Sequence, residues 1–333
     1  MIILKKRETF DKNLQKAKIK KPKVLFCKKI LFIPKIKNRI LSFFLNSETY
    51  KPVIGWSINK SISNWAMKKN LSISLYNYDL FVSVKLIIKI FLLFKKKKII
   101  LKKNDFLIFS AYPNVYFHQI FEFIMKIVLL KKKYNLIYLP YFLRKIISQD
   151  PYKKLLKKKK FKYYNFNKVI EFHNVNYLDF LPHHKKNVYL KKSINILNKN
   201  IHIKNTKAKF SLISRNDSNR KLINEKQLFQ NLKKYRFKIY NFSKISQKKQ
   251  IEICRNSKIL LGYQGSNFTN SIYMKTSSNI VDIVNIYIDN PFLKTIADTK
   301  KINYYKSTCA KSFVNLSGLC DIDDVTNIVK KIV

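Results

Sequence analysis

From Lys209 onward, short apolar β-branched runs alternate with amphipathic helical stretches, and few folds accommodate that alternation. The strand-like runs are FSLIS (210–214), FKIYNF (237–242), KILLG (258–262) and NIVDIV (279–284). Helical text lies between and after them: NEKQLFQNLKKY (224–235), QKKQIEICRN (247–256), a short helix from Ser266 to Met274, and PFLKTIADTKK (291–301). Parallel strands need a crossover between them, usually a helix, so this spacing predicts parallel βαβ units. A similar but weaker alternation precedes it. DFLIFS (105–110) reads as a strand, and Tyr116 to Lys132 as a helix with Phe117, Ile120, Phe121, Ile124 and Val128 at helical spacing. NLIYLP (135–140), lysine-rich helical text at 141–160 and the strand-like NKVIEF (167–172) follow. The expected class is α/β with two such halves. Residues 106–200 form one α/β domain and 201–333 the other, after a basic region, 1–105, that holds Trp56 and Trp65 and shows no repeat or low-complexity linker.

Glycine is scarce, with four in 333 residues, yet Gly262 and Gly265 both fall in the stretch LGYQGSNFTN, Leu261 to Asn270. A loop between a buried strand and a helix is the natural place for such residues. There a bare backbone can approach a ligand closely, and the first N–H groups of the helix can meet an anion, phosphate above all. The plainer reading is a βα turn that uses Gly265 for its φ and Ser266 as N-cap.

Arg215 directly follows FSLIS and is placed at the carboxyl end of a parallel strand, where ligand crevices open in such sheets. A guanidinium fork can hold a diphosphate as leaving-group charge develops, which a lysine does only as a point charge. Arg220 either assists it or caps the loop. Asp282 interrupts NIVDIVN and, if buried, needs a partner: a ligand hydroxyl, or a donor within the protein. Thr269 and Asn270, in the first turn after the loop, either meet phosphate or stiffen the turn. His118 begins a helix with Glu122 one turn later on the same face. It is either a general base steadied by that carboxylate or a helix-terminal histidine satisfied locally.

Ser214-Arg215, Arg220, the Gly262 to Asn270 loop and Asp282 together resemble glycosyltransferase family 61. That family carries a Ser-Arg strand end, a second Arg, a loop of the form G-x-H-G-A-G-L-T-N and a strand ending in an acid. VYFHQIFEF, Val115 to Phe123, is similar to the family's upstream aromatic-aromatic-His element. The likeness covers residues 105–333 and is strongest over 210–285. It implies two Rossmann-like domains with an intervening cleft, the GT-B architecture, and an inverting transfer of sugar from a nucleotide-sugar donor to a hydroxyl of a surface glycan; the transfer reads as metal-independent because no D-x-D or His/Cys cluster stands in a convincing position. It also implies that Arg215, Arg220 and Asp282, with Gln264, Gly265, Ser266, Asn267, Thr269 and Asn270 of the loop, bind the donor. Gln264 stands where many members have His, so only amide hydrogen bonding is available at that position.

The charge suggests a rival class. The formal net charge is +51, but only seven of the 69 basic residues are Arg, and Lys, Ile, Asn and Phe are enriched together, as an A+T-rich coding sequence would produce. A non-enzymatic protein binding polyanions or nucleic acid is the alternative reading, and charge alone favours it: zinc-finger, KH and RRM signatures are absent, and no specific nucleic-acid partner is expected. Lysine blocks at 95–98, 131–133 and 157–160 suit peripheral contact with anionic membrane. The run Leu86 to Phe94 is interrupted by Lys89 and too short to span a bilayer. The opening MIILKKRETF turns charged after four residues, and Cys27, Cys254, Cys309 and Cys320 lack metal-ligand spacing. Both point to the cytoplasm, at the inner face of the membrane, with no cofactor or structural zinc. His183-His184 reads as loop surface. In DIDD, Asp321 to Asp324, Asp321 or Asp323 reads as a helix N-cap rather than as a metal-binding D-x-D.

Overall fold

The computed structural model describes residues 24–33, 43–46, 97–109, 115–130, 136–165, 168–178, 188–207, 209–218, 220–285, 291–311 and 317–333. Trp56, Trp65, the Leu86 to Phe94 run, Lys95, Lys96, Lys131 to Lys133, His183 and His184 lie outside the described residues. The chain divides into two compact units. One contains residues 16–148 and 156–182, and the other contains residues 149–155 and 183–333.

The first unit holds strands β1 (Val24–Ile33), β2 (Phe43–Asn46), β3 (Lys97–Ile100), β4 (Phe106–Leu107), β5 (Ile137–Pro140), β6 (Phe161–Tyr164) and β7 (Ile170–Leu178). Their order is β2-β1-β7-β4-β5-β6, with β3 also on β7. Strands β3 to β7 pair in parallel, whereas β1 runs antiparallel to both β7 and β2. This mixed sheet is more elaborate than the parallel half predicted from 106–200. Ile30 and Phe32 of β1 pack on Ile170 and Phe172 of β7 in one buried cluster. The predicted helix after β4 is present as Tyr116–His118, a π-helical segment Gln119–Ile124, and Met125–Leu129. All but the first residue of the π segment is buried, Glu122 included. The text at 141–160 forms two short helices, Leu143–Ile147 in this unit and Tyr152–Leu155, which belongs to the other.

The second unit holds β8 (Lys209–Ser214), β9 (Phe237–Asn241), β10 (Ser257–Tyr263), β11 (Asn279–Asn285), β12 (Asn303–Lys311) and β13 (Gly318–Cys320). The order β13-β12-β11-β10-β8-β9 is parallel except for the edge strand β13. Side chains alternate between the two faces of each strand. On one face Leu212, Ile259, Leu261, Val281 and Ile283 meet Leu228 and Leu232 of helix Glu225–Lys233 and Val325 and Val329 of helix Ile322–Ile332. The other face is covered by Gln247–Arg255, the 3-10 helix Ser266–Tyr273 and Phe292–Lys300. The βαβ units read from the sequence are therefore present, as a doubly wound sheet. The chain goes from β8 to β9 on one side, then crosses back past β8 to lay β10 on its other side. The strand order reverses at that point, and the loops after β8 and β10 diverge there.

Candidate donor site at the switch point of the second sheet

Open α/β sheets bind ligands beyond the carboxyl ends of the strands at the place where strand order reverses. Here the first residues beyond those ends are Arg215, after β8, and Gln264, after β10. They touch. Nη1 of Arg215 donates to the Gln264 carbonyl at 2.9 Å and Nη2 to the Ser218 hydroxyl at 3.1 Å. Beneath them Glu225, the first residue of its helix, accepts from the Ser214 hydroxyl at 2.6 Å and from the Arg215 backbone N–H at 3.3 Å. Burial raises the Glu225 carboxyl above its ordinary pKa, against the lowering effect of those hydrogen bonds.

The guanidinium passes directly over Gly265. A β-carbon there would stand 1.4 Å from Nη1 and 2.6 Å from Cζ of Arg215, so only glycine leaves the fork its position. This corrects the conformational reading of the glycine, because Gly265 has φ 165°, an extended backbone open to any residue. The close approach is made by the arginine. Gly265 rather than Ser266 is also the N-cap of the 3-10 helix, and no side chain caps it. The first bond within that turn runs from the Phe268 N–H to the Gly265 carbonyl at 3.1 Å, so Ser266 and Asn267 hold the N–H positions that the turn leaves without an internal acceptor. Asn267 adds an amide whose nitrogen and oxygen are inaccessible to solvent and have no hydrogen-bond partner among the described residues.

Two cations share this corner. Burial, then the nearby Arg220, lowers the Arg215 guanidinium to about 10, so it stays charged at neutral pH while held beside a like charge. Among the described residues neither arginine forms a salt bridge with a carboxylate. Neighbouring guanidinium groups, with N–H positions that lack an internal acceptor alongside, can hold a polyvalent anion.

Gln264 turns its side chain inward, where Nε2 donates to Oδ2 of Asp282 at 2.9 Å. Asp282 is fully buried in β11, and the Tyr304 hydroxyl donates to the same oxygen at 2.8 Å. The partners that a buried carboxylate requires are thus supplied in part by the protein. Thr269 donates to the Ser266 carbonyl at 2.6 Å, and Asn270, also buried, donates to Gln250 of the neighbouring helix at 3.0 Å. Both side chains fasten the turn from within. Glu225 and Tyr304 were not anticipated. A first-turn glutamate is common in helices for dipole reasons, and a tyrosine among polar strand residues carries no distinguishing mark.

His118 belongs to the other unit. Its Nδ1 lies 2.5 Å from Oε1 of Glu122, which is 2% exposed. A carboxylate only accepts, so Nδ1 carries the hydrogen of this bond. Asp321 caps the last helix by accepting from the Asp324 N–H at 2.9 Å, as its sequence context indicated, and Asp324 accepts from Ser307 at 2.6 Å.

Residues 116–281 match the family model described as Glycosyltransferase 61. The chain belongs to glycosyltransferase family 61. The match takes in His118, both arginines and the glycine loop and ends one residue before Asp282. Membership makes the chain a glycosyltransferase, and it does not favour a non-enzymatic polyanion-binding protein. No curated protein matches the chain. Among the described residues, no helix of this family 61 member is long and apolar enough to cross a membrane.

Proposed function

We propose that the enzyme transfers a sugar from a nucleoside-diphosphate donor to a hydroxyl of a surface glycan, with inversion and without a metal ion, using two Rossmann-like domains around a cleft in the GT-B manner. The observation that carries the donor assignment is the Arg215 guanidinium laid across Gly265 at the switch point, with Arg220 nearby. In this reading the two arginines and the N–H groups of Ser266 and Asn267 neutralise the diphosphate as the glycosidic bond breaks. Fixed donors aimed at developing charge are an effective source of rate acceleration. Gln264 and Asp282 shape the floor of the site, and Asp282 also serves a hydroxyl of the donor. Thr269 and Asn270 contribute by holding the turn in place. His118, oriented by Glu122, removes the proton of the acceptor hydroxyl as that oxygen attacks the sugar carbon opposite the nucleotide.

The excess of lysine supports a cytoplasmic enzyme that works against the anionic inner face of the membrane, near a lipid-borne or membrane-associated acceptor. A thermal-shift panel of nucleotide sugars, nucleoside diphosphates and oligonucleotides tests the proposal. Stabilisation by nucleotides of one base and none by oligonucleotides is the expected result. Stabilisation by oligonucleotides alone would overturn it.

A further inference from the structure

Cys309 and Cys320 face each other across the antiparallel pair β12 and β13. Opposed residues in such a ladder hold their Cα atoms about 4.5–5.5 Å apart, inside the range of about 4.4–6.8 Å that disulfides span, and their side chains leave the same face. Both side chains point into one buried cluster, at 3% and 4% exposure. Gly318, two residues before Cys320, makes room for the first sulfur, since a β-carbon there would stand 2.5 Å from Sγ of Cys309. Cys27 lies in the other unit, and Cys254 lies in the helix Gln247–Arg255, with neither opposite another cysteine in a ladder. We propose that Cys309 and Cys320 form a modification site, a reversible cross-strand disulfide.

The reduced pair is protected. Burial pushes both thiols up to about 11, so the reactive thiolate is scarce in the closed structure. Cys320 is further held by Asn224, whose Oδ1 accepts from the Cys320 backbone N–H at 3.2 Å and from its Sγ at 3.3 Å. Exchange therefore waits on opening of the three-residue edge strand β13, a local event that costs less than global unfolding. With a small-molecule disulfide such as oxidised glutathione, the exposed thiolate attacks one sulfur and releases one glutathione thiolate. The second cysteine then attacks the mixed disulfide and releases the other. Two protons and two electrons leave the protein, and one oxidant disulfide becomes two thiols.

The cross-link fastens a strand that holds the segment between Arg220 and Glu225. Gly318 donates to the Lys221 carbonyl at 2.9 Å, and its own carbonyl accepts from Ile223 at 2.9 Å. Asn224 Nδ2 donates to the Cys320 carbonyl at 2.8 Å. The oxidised protein should therefore be the more stable form, because the link closes a short loop in the unfolded chain.

Peptide mapping of the full-length protein tests this. The native chain is incubated with oxidised glutathione, remaining thiols are blocked with N-ethylmaleimide, and a non-reducing digest is read by mass spectrometry. The expected result is one linked pair, Cys309 with Cys320, formed faster in denaturant below the unfolding transition and raising Tm by a few degrees until dithiothreitol reverses it. Cys27→Ser should oxidise as the parent does, and Cys309→Ser should show neither the link nor the Tm rise. Four free thiols after prolonged oxidation, a link involving Cys27 or Cys254, or a Tm rise that survives in Cys309→Ser would each overturn the assignment.

Discussion

The guanidinium of Arg215 occupies the space that a side chain at position 265 would need: a β-carbon on Gly265 would stand 1.4 Å from Nη1. The loop after β10 and the arginine after β8 are thus fitted to each other, and the bareness of one fixes the position of the other. A flexible side chain can be displaced at little cost to folding, whereas a backbone carbonyl cannot.

Gly265→Ala and Gly262→Ala should therefore fail differently. At 265 the new methyl group pushes the Arg215 fork aside, and nucleoside-diphosphate affinity should fall about tenfold or more with little change in unfolding midpoint, since one charge-assisted contact is lost. At 262 a β-carbon would meet the Ile213 carbonyl at 2.9 Å within the β8/β10 pairing, so stability should fall by about 1–3 kcal/mol. Calorimetric titration and urea unfolding of the two variants would check the contrast.

His118→Ala should leave donor affinity within about twofold of the parent and lower turnover by about two to four orders of magnitude, the usual contribution of a general base. Steady-state kinetics on the donor and acceptor pair would separate the two effects. Unchanged turnover would remove His118 from the chemistry and leave its bond to Glu122 a purely local one.

Nucleoside-diphosphate affinity should be the same in EDTA as in millimolar magnesium or manganese, because two guanidinium groups and a helix N-terminus supply the positive charge. Affinity that collapses in EDTA and returns with manganese would place a cation on the diphosphate and direct attention to Asp321 and Asp323.

The three central strands of the second sheet were legible because β8, β10 and β11 carry apolar runs, as strands with both faces covered do. The loop after β10 was legible as a strand-to-helix turn because glycine is so scarce elsewhere. Strand β1 was not, since VLFCKKILFI places Lys28 and Lys29 in the middle of a strand and reads as one more basic segment. Its apolar residues make sense only against β7, about 140 positions away in sequence. The polar text of β12 hides a strand whose buried positions include Ser307 and Cys309. The reason for Gly265 was equally hidden, because what approaches it is a side chain fifty residues earlier, and no local pattern records that.

Lys300 should show itself in the pH dependence of stability. Burial, then Arg255, lowers its ammonium group to about 8 from 10.5, so the folded state releases that proton before the unfolded state does. Stability from this group is therefore lowest below about pH 8 and is regained as pH rises toward 10.5. Parent and Lys300→Gln should differ more in favour of the variant at pH 7 than at pH 10. Paired urea unfolding curves at the two values, compared as differences so that other titrating groups cancel, would measure it.

The central claim is that Arg215 holds the diphosphate of a nucleotide donor at the switch point, and calorimetric titration of parent, Arg215→Ala and Arg215→Lys with nucleoside diphosphates tests it most directly. The account predicts binding of at least one nucleoside diphosphate to the parent, a loss of about 1.5–3 kcal/mol in the alanine variant, and incomplete recovery with lysine, which keeps the charge but not the fork. Equal affinity in the parent and Arg215→Ala would contradict it.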